Sequence, residues 1–253
     1  MKRTLGSMAA AAAVIVLASA PGARAQTADE IIEKHLAAVG GRAALSKVTS
    51  QVASGTVAIS AQGADFGGSI EISRKAPNKG RTFMKLDLSA LGGSEMIVDQ
   101  RCDGKTAFAS NSLQGDREIT GSQLQNMLNA SFPSPLLTYK DAGGKVELQG
   151  QDKAGGRAVF VLLFTPKAGP ASKLFVDTET FLIARSVTTL DVPEAGGAIE
   201  QTSDLGDYRA IDGIKVPFSG RVSNPAQTVA ITLSKVELNT PIDDAIFGRP
   251  GVK

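Results

Sequence analysis

Few residues in this chain are equipped for chemistry, and their spacing keeps them apart. Metal catalysis needs histidine, cysteine or carboxylate ligands that converge on one ion, and the sequence has one histidine, His35, and one cysteine, Cys102. A zinc site would have to be built almost wholly of carboxylates. Serine chemistry fares no better, because no G-x-S-x-G elbow occurs and a triad would have to recruit His35 from the N-terminal end. The run DQRCDGKT ends like a phosphate-binding loop, but Asp99 stands in place of its first glycine. It also resembles half a calcium loop, with Arg101 at a ligand position and Ser110 where the closing glutamate belongs. Both departures favour a plain Asp103-Gly104 turn. Two acid pairs remain, Asp204 with Asp207 and Asp243 with Asp244, and these could share acid–base work of the glycosidase kind. Adjacent acids on a strand point to opposite faces, however, and acids in turn segments usually solvate or cap. The chain therefore reads as a non-enzyme with no catalytic residues, no metal and no cofactor; a hydrolase would have to use those four acids. His35, beside an apolar helix face, reads as a structural histidine, and Cys102 as a structural thiol at a strand end.

The N-terminus narrows the class further. Lys2 and Arg3 precede an apolar stretch from Met8 to Ala20, and Ala23-Arg24-Ala25 forms an A-x-A cleavage pattern before Gln26. That stretch is shorter than the ~20 residues of a bilayer span. Residues 1–25 are expected to be a secretory signal peptide, residues 26–253 a single domain, and the periplasm its location. Loss of Lys2, Arg3 and Arg24 with no acid takes the formal charge from +2 to −1. No lysine and arginine cluster interleaved with aromatics is left, so nucleic acid is not expected as a partner, and no second apolar stretch offers a stable membrane span. A lone cysteine in an exported chain leaves a packed core, rather than disulfides, to hold the fold.

The elements follow from hydrophobic period. In TADEIIEKHLAAVGG, Thr27 and Glu30 have capping-box spacing, Ile31, Ile32, Leu36 and Val39 share one face, and Gly40-Gly41 supply a stop. From Val48 onward the period is two, in some ten strands separated by Gly-Gly or Asp-Gly pairs. This predicts a mainly β, α+β fold: a curled antiparallel sheet forming an incomplete barrel. In IDGIKVPF, Asp212-Gly213 reads as a hairpin tip, with Ile214, Val216 and Phe218 on one face, and Pro217 predicts an edge or a bulge. One interior segment has helical spacing, with Leu124, Met127 and Leu128, then Phe132 and Leu136, ended by Pro133 and Pro135. It predicts a helix packed on or inside the sheet, as a plug or lid.

The stretches ADEIIEKHLAAVGGRAALSKVTSQVASGTV, LFVDTETFLIARSV, DYRAIDGIKVPFSGRV and VELNTPIDDAIFGRP, behind a signal peptide, resemble the outer-membrane lipoprotein-sorting group, related to the periplasmic carrier LolA and its receptor LolB. The resemblance implies a half-open β-barrel whose helices lid an apolar cavity for lipid or lipoprotein acyl chains. Candidate cavity-lining residues are Met84, Leu86 and Leu88 on one strand face, Met96 and Val98 on the next, Phe160, Leu162 and Phe164 on a third, and Leu124, Met127, Leu128 and Phe132 on the internal helix. Flexible methionines and phenylalanines suit an adaptable pocket, although the same residues would also fill an ordinary core. The absence of a lipid-attachment cysteine argues for a free shuttle over an anchored receptor. The expectation is thus a non-enzymatic periplasmic carrier of acyl chains. The alternative is an interaction or scaffold module that docks an envelope protein complex.

Overall fold

Thr27 opens the first helix through the expected capping box: its hydroxyl accepts from the Glu30 amide at 3.2 Å, and the Glu30 carboxylate accepts from the Thr27 amide at 2.9 Å. The helix, α1 (Ala28–Ala38), turns Ile31, Ile32 and Leu36 wholly inward. Each such burial contributes about 1.5–3 kcal/mol. In this computed structural model, which describes residues 26–192 and 197–249, a short α2 (Arg42–Leu45) follows. The expected signal peptide lies outside the described residues.

Thirteen strands then form one antiparallel sheet. The first six are β1 (Ser50–Ala61), β2 (Ala64–Lys75), β3 (Lys79–Asp87), β4 (Glu95–Cys102), β5 (Ala107–Asn111) and β6 (Gly115–Ile119). After α3 (Gly121–Asn129) come β7 (Lys145–Ala154), β8 (Arg157–Thr165), β9 (Ser172–Asp177), β10 (Ile183–Val192), β11 (Gly197–Ile211), β12 (Ile214–Ser223) and β13 (Gln227–Leu238). Each half is a meander, and the two halves join where β1 pairs with β13. The outer strands β6 and β7 do not pair with each other, so the sheet is curled and unclosed, as the sequence predicts.

The main core lies on the concave side, where α1 and Leu45 of α2 pack over Phe160, Leu162, Val176, Val216 and Phe218. On the convex side, a 3₁₀ turn at Asp244–Phe247 lies against β3 and β4 with Phe247 fully buried.

Two elements differ from the sequence reading. β6 was not expected, because Gly115 to Glu118 are all exposed and only Ile119 turns inward, which leaves no alternation to detect. The internal helix is shorter than its apolar spacing implies. It stops at Asn129 because the Phe132 amide donates to the Pro77 carbonyl at 2.7 Å instead of continuing the helical ladder. Phe132 therefore sits in a loop, and Leu136 in a separate 3₁₀ turn. α3 itself packs Leu124, Met127 and Leu128 on Cys102, Ala107 and Ile119, touches β10, and donates from Asn129 to the Ala168 carbonyl at 2.6 Å.

Candidate functional site

The hairpin tip at Asp212-Gly213 has φ of 49° and 81°, the left-handed pair that a tight two-residue turn requires. From it β12 pairs with β11 along its length, but with β13 only from Ser219 to Ser223. In an antiparallel ladder alternate residues face each neighbour, and Lys215 and Pro217 belong to the set that faces away from β11. The Lys215 amide donates to the Val39 carbonyl at the end of α1, at 2.9 Å. Pro217 has no amide hydrogen to offer, and β13 has already left. The edge that Pro217 predicts is there.

Two glycines allow this parting. A Cβ at Gly55, beside the β1 bulge, would come 2.1 Å from the Thr232 carbonyl oxygen, so only glycine lets β13 swing so close to β1. A Cβ at Gly40 would meet the Ile214 side chain at 2.7 Å, so glycine is also needed where the α1–α2 corner seats against β12. The space between Ile214–Phe218 and Leu233–Leu238 is a cleft of about 270 Å³. His35, Val39, Leu45 and Val48 wall it from the helical side, and Ile72, Arg74 and Gln51 from β2 and β1. A second cavity of about 120 Å³ under α3 shares Ile72, Arg74 and Phe132 with it.

Most polar groups around the cleft are committed. His35 Nδ1 donates to the Phe181 carbonyl at 2.8 Å, and burial holds the ring's pKa below the ordinary histidine value despite that bond. Tyr208 donates to the Ile183 carbonyl at 2.8 Å, and burial raises its pKa. Arg74 is different. Its guanidinium is reached by solvent through the cleft, yet enough protein surrounds it that desolvation pushes its pKa below that of an ordinary arginine. Among the described residues it has no hydrogen-bond or ion-pair partner.

The candidate residues named from sequence fall into several places. Phe132 lines the cleft and Met127 its extension. Phe160 and Leu162 are buried in the core beneath α1, with Phe164 packed at its border. Met84, Leu86, Met96 and Val98 form a separate cluster with Val57, Ile59 and Ile70. Leu124 and Leu128 are on α3, packed against Cys102, Ala107 and Ile119, and Leu88 follows β3 at the start of a 3₁₀ turn. Arg74 and Gln51 were missed, although Ile70, Ile72 and Arg74 share one face of β2 and the switch from apolar to cationic was visible there.

The acid pairs do not converge on a shared site. Asp204 binds Arg185 at 2.6 Å, Asp207 binds Arg209 at 2.6 Å, Asp243 caps the Ala245 amide, and Asp244 binds both Lys75 and Lys79. Those two lysines lower the Asp244 pKa to about 2. Asp103 accepts from the amides of Lys105 and Thr106, the plain turn its sequence implies.

No family model and no curated protein matches the chain. Solved structures do. A LolA superfamily protein from Nitrosomonas europaea superposes with a TM-score of 0.56 at 14% identity, over 89% of this chain and 99% of its own. The fold is LolA-like. A domain described as an outer membrane lipoprotein-sorting protein, from Vibrio parahaemolyticus, gives 0.52 at 11% identity over 86% and 94% of the two chains. A DUF1329 family protein from Desulfovibrio piger gives 0.55 at 15% over 87% and 96%. Among the described residues, no helix of this LolA-like fold is long and apolar enough to cross a membrane.

Proposed function

We propose that the protein is a non-enzymatic periplasmic carrier that holds the acyl chain of a lipid or lipoprotein in the cleft between β12 and β13. One observation carries this reading: within a LolA-like sheet the wall parts to leave an apolar cleft walled by Ile72, Leu45, Val48, Ile214, Val216, Phe218 and Leu233. The cleft and its neighbour under α3 together fall in the range of about 300–1,000 Å³ typical of small-molecule sites. Binding would draw on about 25 cal/mol for each Å² of chain surface removed from water. Release would follow from withdrawal of the α1–α2 corner, which a single strand-like bond from Lys215 to Val39 ties to β12.

The test is calorimetric titration of delipidated protein, expressed from its full chain, with dodecanol below its solubility limit. The reading expects saturable binding in the wild type and at least a tenfold loss in Val216→Trp, which fills the cleft. No heat of binding in the wild type, together with an envelope protein recovered by crosslinking, would replace it with the scaffold reading.

A further inference from the structure

Strand register lays one row across the concave face. Ile119, Ala107, Cys102, Gly80, Arg74 and Gln51 are successive cross-strand partners from β6 to β1. α3 covers the first three, none more than 2% exposed. It leaves the last three facing the cavities. A Cβ on Gly80 would meet nothing within 4 Å, so open space stands beside Arg74 on one side. On the other, Gln51 is only 9% exposed, lines the cleft, and makes no side-chain hydrogen bond among the described residues.

Arg74 is a solvent-reached cation with no acid partner among the described residues, and it stands at the cleft between the idle Gln51 amide and the open space over Gly80. Together they describe a site that lacks its third party. A guanidinium has five donors and no acceptor, and its fork matches the oxygens of a carboxylate or phosphate. The apolar walls on both sides, which share Ile72 and Phe132 with this spot, suit hydrocarbon.

We infer that the cleft takes an anionic amphiphile, with its carboxylate or phosphate head held by Arg74 over Gly80, Gln51 donating to the same oxygens, and the chain running along the apolar walls. This rests on the carrier reading and adds the charge of the cargo to it. A neutral chain would leave Arg74 uncompensated, and an anionic head satisfies it.

Three probes of equal chain length separate the possibilities: dodecanoate, dodecyl phosphate and dodecanol, each titrated below its micelle concentration into the wild type, Arg74→Gln and Gly80→Leu. The wild type should bind one or both anions about tenfold or more tightly than dodecanol. Preference for dodecanoate alone assigns the head to a carboxylate, and preference for dodecyl phosphate alone to a phosphate. Arg74→Gln should remove the preference and keep dodecanol affinity. Gly80→Leu fills the space without altering the charge and should weaken the anions alone. Thermal unfolding of both variants checks that they fold. Equal affinity for all three probes, unchanged in Arg74→Gln, would overturn the head-group inference and leave the carrier reading standing. Failure of all three to bind would overturn the carrier reading itself.

Discussion

On the convex face of β2–β4, Arg81 and Arg101 both close on Asp99, at 2.8 and 2.7 Å, and Lys75 and Lys79 both close on Asp244, at 2.7 and 2.6 Å. On the concave face of the same strands, Arg74 meets no acid among the described residues. The convex face is finished: the C-terminal 3₁₀ turn covers it, the Phe247 ring is buried, and the Arg101 guanidinium also reaches the Gly248 carbonyl. The concave face is left open at one spot. Four cations on the convex face, Arg81, Arg101, Lys75 and Lys79, are paired with acids, whereas Arg74 at the cleft is not, and the proposed anionic head would supply its counter-charge.

The comparison can be broken first on the finished side. Phe247→Ala should cost about 3–5 kcal/mol by urea unfolding, since a fully buried ring leaves a cavity. Asp99→Ala comes next, at about 3 kcal/mol, because two partly buried guanidinium groups lose their counter-charge. Burial by itself would raise the Asp99 pKa, but the hydrogen bonds from Arg81 and Arg101 outweigh it and hold the carboxyl below its ordinary value. Its contribution is thus complete above the unfolded pKa of about 3.9 and is lost as pH falls through the lower folded value. Acid unfolding of Asp99→Ala should lack that component.

On the open side the effects shrink. Arg74→Leu should leave the stability of the empty protein within about 0.5 kcal/mol of the wild type, whereas the same change on the convex side at Arg81, which loses its bonds to Asp99, should lower the Tm. A fall of more than about 0.5 kcal/mol for Arg74→Leu would mean that Arg74 has a structural partner. A small, pH-dependent effect belongs to His35 at the cleft wall. Its folded pKa lies below the unfolded value of about 6.5, so its contribution is complete above pH 6.5 and declines as the pH falls toward the folded pKa. His35→Gln should flatten that slope of Tm against pH.

Much of the fold was legible because it is local. The capping box at Thr27 and Glu30, the tip at Asp212-Gly213 and the edge at Pro217 each follow from a few adjacent residues. β6 was not, since four of its five residues face solvent and it is a strand only through pairing with β5. The cleft was less legible still. Alternation shows that Met84, Leu86 and Phe160 face inward, but a core position and a cavity wall have the same alternation. What separates them is the parting of β12 from β13, set by Gly55 and by the bond between Lys215 and Val39, residues far apart in the chain. Arg74 was readable in principle, as the cation that ends the apolar face of β2.

The most direct test of the central claim, that the cleft exists to hold an acyl chain, is native mass spectrometry of protein purified from an envelope fraction without detergent, followed by solvent extraction. The account predicts a stoichiometric lipid adduct, lost in Val216→Trp. Wild-type protein of bare polypeptide mass that also takes up no added lipid would contradict it.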